Sequence, residues 1–187
     1  MNGITVYDNL LPDPDYMLNS MLSPQFNWNF GGGVVYDRMC DELDDYQFSN
    51  VMYQNMTPKS NEFGLVNGII NYSKLKIAAL IRVKANLNPR THKIIKHGFH
   101  IDLPYPCTTA IYYVNTCNGF TEFEDGTVVE SVANRFVTFP SSLKHTGTTC
   151  TDQKARIVIN FNYFEGDLHM QGDYLEDSNY PTTTRFL

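Results

Sequence analysis

Hydrophobic positions change their pattern near residue 77. From there on, apolar and β-branched residues fall in short runs separated by turn residues: IAALIRVKANL (77–87), CTTAIYYVN (107–115), FTEFEDGTVVES (120–131), RFVTF (135–139) and ARIVINFNYF (155–164). The runs have strand length, and aromatic and β-branched side chains pack well on a pleated surface. Asp125-Gly126 stands between two strand-like arms and is the strongest short hairpin signal in the chain. Arg82 and Lys84, two residues apart in the first run, share one strand face. Five or six strands within about 85 residues predict a sandwich or an open barrel.

The preceding segment is less regular. Gly3–Tyr7 reads as a short strand, and LPDPDYMLNSML (11–22) opens with proline and acid, as helix N-termini do. Gly31–Gly33 reads as a turn and not a phosphate loop, because no Lys-Ser/Thr pair follows it. Segment 44–75 is ambiguous, with a helix expected over 61–73. The polar stretch 166–187 is expected to wrap the surface. With no internal repeat, the chain reads as one domain over 1–187: a core at 77–164, helical support at 1–76 and a tail at 165–187.

Composition narrows the function classes. The chain has 187 residues, 42% hydrophobic and 18% charged, which is a globular balance. Its net charge of −6 argues against a nucleic-acid partner. No window approaches the roughly 18 apolar residues of a membrane span, and the N-terminus lacks a basic start with a long apolar run. Cys40, Cys107, Cys117 and Cys150 form no CxxC pair, so a structural zinc site is not expected; they read as free thiols in a reducing cytoplasm.

Three features carry candidate chemistry. His100 and Asp102 stand two apart in KHGFHIDLP, pointing the same way if the segment is a strand. His145 follows the RFVTF run, and Arg156 opens the apolar run ARIVINFNYF. Each alone has a plain structural alternative: a surface strand end, a loop histidine, and an arginine on the solvent face. Together, two histidines and one carboxylate offer the facial triad of non-haem Fe(II) oxygenases. An arginine inside an apolar strand supplies the planar fork that a dicarboxylate cosubstrate needs. TCTDQKA (149–155) can turn back and bring Arg156 beside His145.

At this point the sequence resembles a family. HID (100–102), IYYVN (111–115), GFTEFEDG (119–126), FVTFPSSLKHTG (136–147) and ARIVINFNYF (155–164) follow the order found in 2-oxoglutarate- and Fe(II)-dependent oxygenases of the prolyl-hydroxylase-like branch, especially small marine-phage and bacterial members. ITVYDNLLPDP also looks like their strand-then-helix opening. The resemblance implies a mainly β fold, a double-stranded β-helix (jelly roll) with a few supporting helices. It implies His100, Asp102 and His145 as catalytic iron ligands, Arg156 as the partner of the far carboxylate of 2-oxoglutarate, and Tyr113 as a hydrogen-bond donor to that carboxylate. Thr148 and Asn160 are further pocket candidates. Fe(II), 2-oxoglutarate and O2 are the implied cofactors, with ascorbate as a reductant.

The chain departs from the branch before H-x-D, where KANLNP offers Asn86 or Asn88 in place of a tyrosine. The implied substrate is a peptidyl prolyl residue, although another protein side chain or a small molecule fits the same core. Two rival readings are a cupin-like metal protein that uses no 2-oxoglutarate and a non-catalytic jelly-roll binding module.

Overall fold

The computed structural model describes residues 3–32, 46–72 and 75–166. In chain order these contain β1 (Thr5–Tyr7), α1 (Pro14–Met21), β2 (Asn29–Gly31), β3 (Gln47–Gln54), β4 (Thr57–Pro58), a 3₁₀ segment (Asn61–Val66) and α2 (Asn67–Ile70). There follow β5 (Ile77–Pro89), β6 (Thr108–Tyr113), β7 (Phe120–Phe123), β8 (Val128–Glu130), β9 (Arg135–Pro140), β10 (His145–Gly147) and β11 (Ala155–Glu165). The larger sheet runs β1-β9-β6-β11-β5-β3-β2, with β4 attached to β3, and the smaller runs β10-β7-β8. Among the described residues every strand pairing is antiparallel. This is the expected jelly roll.

Alternation along three central strands separates two cores. Ala110 and Tyr112 of β6, Phe136 of β9, and Ile157, Ile159, Phe161 and Tyr163 of β11 face one side, where Met17 and Met21 of α1 join them with Val66 and Ile69. The intervening residues Ile111, Tyr113, Val137, Phe139 and Val158 meet Phe123 and Val129 of the smaller sheet. Strands covered on both faces read as continuous apolar runs, which is why these were visible in sequence. Helix α1 starts as its sequence predicts: Pro14 takes the first turn, and the Asp13 carboxylate accepts a hydrogen bond from the Tyr16 backbone N–H at 3.3 Å.

The hairpin also forms where expected. The Phe123 N–H donates to Thr127 O at 2.9 Å, and Gly126 adopts φ +86°, a left-handed conformation that costs glycine little. Strand β3, by contrast, was not legible. It buries Gln47 and Asn50 beside Met52, and its pairing with β5 slips between Val51 and Tyr53, so polar burial and a bulge together erase the alternation. The helix expected over 61–73 is shorter, a 3₁₀ segment followed by one turn of α-helix ending at Ile70. Residues 1–76 therefore contribute strands to the larger sheet as well as helix. Expectations for Gly33, Cys40 and the tail beyond Gly166 fall outside the described residues. No described helix is long and apolar enough to cross a membrane.

Candidate metal centre and its cavity

His100 and Asp102 lie in the irregular connection from β5 to β6, not on a regular strand. Their geometry comes instead from a bridge to β10. The His100 N–H donates to His145 O and the His145 N–H donates to His100 O, both at 3.0 Å. An antiparallel bridge of this kind sets the two side chains on the same side, and their ring centroids are 4.7 Å apart. Strand β10 is in turn fixed by β7, with His145 opposite Phe123.

The donor atoms of His100, Asp102 and His145 all lie within 4.8 Å of one another. Oδ1 of Asp102 is 3.6 Å from His100 Nε2 and 4.0 Å from His145 Nε2. His100 Nδ1 lies 3.0 Å from Gly98 O and His145 Nδ1 3.3 Å from Leu143 O. A carbonyl oxygen only accepts, so in each neutral ring Nδ1 carries the proton and Nε2 presents its lone pair to the centre. Two imidazole lone pairs and a carboxylate then face one another, an arrangement able to hold a cation. This donor set suits Fe(II).

The electrostatics agree. Burial penalises the Asp102 carboxylate, but His100, His145 and Arg82 hold its pKa far below the usual carboxylate range. Burial holds the His145 imidazole below its ordinary value, so it stays neutral. For His100 burial acts in the same direction, yet Asp102 outweighs it and raises the value.

The outer oxygen of Asp102 is also held. Arg82 Nη2 lies 3.4 Å from Oδ2, and Asn162 Nδ2 donates to the same atom at 3.3 Å. Arg82 Nε donates to Asn162 Oδ1 at 3.1 Å, and Asn162 Nδ2 also reaches Thr109 Oγ1 at 3.1 Å. The sequence placed Arg82 and Lys84 on one face but did not connect Arg82 or Asn162 with the site. The missing signal is register: Arg82 on β5 stands opposite Asn162 on β11, which only the folded ladder shows.

Arg156 is 2% exposed, so the solvent-face alternative is excluded. Its Nε donates to Ser131 Oγ at 2.7 Å, its Nη2 donates to Thr121 Oγ1 at 3.0 Å, and the guanidinium lies 5.6 Å from the Tyr113 ring centroid. No carboxylate pairs with it among the described residues. Tyr113 is fully buried beside Arg156, and its hydroxyl donates to Thr121 Oγ1 at 2.9 Å. Close passage of Arg156 requires Gly119, where a Cβ would lie 2.7 Å from Arg156 Cδ and 2.7 Å from Thr149 O.

One cavity of about 500 Å³ joins these groups, lined by His100, Asp102, His145, Thr121 and Arg156 and by the β5 face from Arg82 to Asn88. Asn86, Asn88 and Asn160 all reach its wall; Thr148 does not, its hydroxyl exchanging hydrogen bonds with the Phe120 backbone. Elsewhere the fold brings together Cys117, Cys150 and Asp152. There burial pushes the Cys150 thiol up to about 11, and the Asp152 carboxylate accepts from the Asn118 N–H at 3.0 and 3.1 Å. A protonated thiol and an engaged carboxylate make that cluster structural.

No family model and no curated protein matches the sequence. Solved structures do share its fold. A prolyl hydroxylase from Trichoplax adhaerens, in complex with a hypoxia inducible factor oxygen degradation domain peptide, superposes with TM-score 0.56 at 16% identity over 88% of this chain and 84% of that one. A Pseudomonas putida prolyl-4-hydroxylase gives TM-score 0.55 at 15% identity, covering 88% and 94%. An oxidoreductase of the 2OG-Fe(II) oxygenase family from Burkholderia pseudomallei gives 0.62 at 8% identity, covering 87% and 85%. The chain thus has the fold of these oxygenases.

Proposed function

We propose that this chain is a 2-oxoglutarate- and Fe(II)-dependent dioxygenase that hydroxylates its substrate. The observation that carries the proposal is the convergence, in one cavity, of a His-Asp-His donor set with a buried arginine that pairs with no carboxylate among the described residues. His100, Asp102 and His145 would hold Fe(II), their two imidazoles and one carboxylate being the donor types that suit it. When bound, Fe(II), 2-oxoglutarate and O2 supply the oxidant that inserts one oxygen atom into a substrate C–H bond, the second oxygen ending in succinate as CO2 leaves.

The protein's own residues orient and insulate. Arg156 pairs with the far carboxylate of 2-oxoglutarate through the fork that Ser131 and Thr121 hold in place. The Thr121 hydroxyl accepts from both Arg156 and Tyr113, so its own proton is left to donate to the same carboxylate. Tyr113 acts through Thr121. Arg82 and Asn162 hold Asp102 Oδ2, leaving Oδ1 beside the two histidine Nε2 atoms, where it would bind the metal.

The fold neighbours include prolyl hydroxylases, one with a peptide bound, which favours a peptidyl prolyl residue as substrate. Ascorbate would serve as a reductant, and the chain would work in the cytoplasm. A cupin-like protein without 2-oxoglutarate would have no use for Arg156. The test is an anaerobic titration with Fe(II) and then 2-oxoglutarate, followed by visible absorption. A metal-to-ligand charge-transfer band is expected, lost in Arg156→Ala and His145→Ala; confirmed iron binding without the band would reject the proposal.

A further inference from the structure

We infer that Lys84 is the substrate-recognition cation of this cavity and takes a carboxylate carried by the substrate beside an N–H donor, as in an amino acid or an acidic peptide residue; this rests on the dioxygenase reading above.

Four cations line the cavity, Arg82, Lys84, Lys144 and Arg156, against one carboxylate, Asp102. That excess of positive charge sits in a chain whose net charge is −6. Three of the four are engaged. Arg82 pairs with Asp102, Lys144 Nζ lies 3.1 Å from Glu124 Oε1, and Arg156 is held by two hydroxyls at the cosubstrate end. Lys84 makes no hydrogen bond or ion pair with any described residue. It is mostly buried, and burial together with the neighbouring Arg82 lowers its pKa, an effect that the Asp102 carboxylate offsets only in part.

Charge counting leaves the same vacancy. Fe(II) with Asp102, Arg82, Lys84 and Arg156 sums to +4, and the two carboxylates of 2-oxoglutarate remove two of these charges. Arg82 remains committed to Asp102, so Lys84 is the cation left for a further anion. Its surroundings define the rest of the ligand. Asn86 follows Lys84 on the same strand face, and Asn160 stands opposite it on β11. The Oδ1 atoms of Asn86, Asn88 and Asn160 are buried and lack donors. Unpaired acceptors beside a free ammonium ask for a partner that offers both an anion and an N–H group. Lys84 pairs across the ladder with Asn160, four residues along β11 from Arg156, so a carboxylate here does not compete for the cosubstrate clamp.

The test uses pairs of probes that differ only in charge. N-acetyl-L-alanine is compared with its amide, and N-acetyl-L-aspartic acid amide with N-acetyl-L-asparagine amide. Calorimetry is run without O2 on protein carrying Mn(II) and saturating 2-oxoglutarate, so no turnover is involved. At least one charged probe should bind roughly tenfold or more tighter than its neutral partner. Which pair shows the preference separates an α-carboxylate from a side-chain carboxylate. Lys84→Gln should erase the preference, and Lys84→Arg should keep it, with 2-oxoglutarate affinity unchanged in both. Equal affinity within both pairs, absence of binding by both charged probes, or weakened 2-oxoglutarate binding in Lys84→Gln would overturn the inference. Failure of the wild-type Mn(II) protein to bind 2-oxoglutarate would instead reject the dioxygenase reading itself.

Discussion

Arg82 and Asp102 form an ion pair behind the candidate metal centre: Nη2 lies 3.4 Å from Oδ2, and Asn162 bonds to both partners. With Oδ2 held from behind, Oδ1 is the atom turned toward the two Nε2 atoms. Arg82→Ala should therefore weaken Mn(II) or Fe(II) binding by roughly 10- to 100-fold while leaving the ligands themselves intact. Metal titration of the variant, with circular dichroism to confirm folding, checks this.

Loss of a ligand should be more severe. His145→Ala and Asp102→Ala each leave two donors of three, so metal content after loading with Fe(II) should fall to background, and succinate release with it. Full activity in either variant would mean that the group holds no catalytic metal.

Arg156 and Gly119 should fail together. Arg156→Ala removes the fork for the far carboxylate and should raise the Kd for 2-oxoglutarate at least about tenfold, since a charge-assisted pair contributes about 1.5–3 kcal/mol. Gly119→Ala touches no ligand but places a Cβ 2.7 Å from Arg156 Cδ and 2.7 Å from a backbone oxygen that cannot rotate away. It should reproduce the cosubstrate defect while sparing metal affinity, and isothermal titration separates the two.

Metal binding should depend on pH through His100. Its pKa is raised in the folded protein, so it holds its proton to a pH above the free imidazole value of about 6.5. A metal must displace that proton, and apparent affinity should start to fall as pH drops through the raised value, approaching tenfold per pH unit. His145 adds nothing over this range, because its lowered pKa keeps it neutral. Mn(II) titrations between pH 6 and 8 test the slope; a flat profile would contradict it.

Much of this was legible in the chain because short-range chemistry specifies it. The runs that became β5, β6, β9 and β11 are apolar on at least one core-facing side, and Asp125-Gly126 marks its hairpin without help from elsewhere. His100, Asp102, His145 and Arg156 could be singled out by residue type and order. What escaped depends on cross-strand register. Asn162 meets Arg82 only because β11 pairs with β5, and Tyr113 turns to Thr121 only because β7 lies over β6. Strand β3 escaped for a related reason: Gln47 lines the cavity and Asn50 donates to Asn27 O at 2.8 Å, so both are buried where the alternation rule expects apolar residues.

The two faces of β11 are set by a single parity. Ile157, Ile159, Phe161 and Tyr163 belong to the core, while Arg156, Val158, Asn160 and Asn162 belong to the cavity wall or its support. Insertion or deletion of one residue within this strand would turn every side chain beyond it to the wrong face, sending large apolar groups into the cavity and polar ones into oil. Point substitution can therefore retune substrate preference along this strand, whereas length changes cannot. Diversification of such a chain should be confined to its turns, with β11 inherited at constant length.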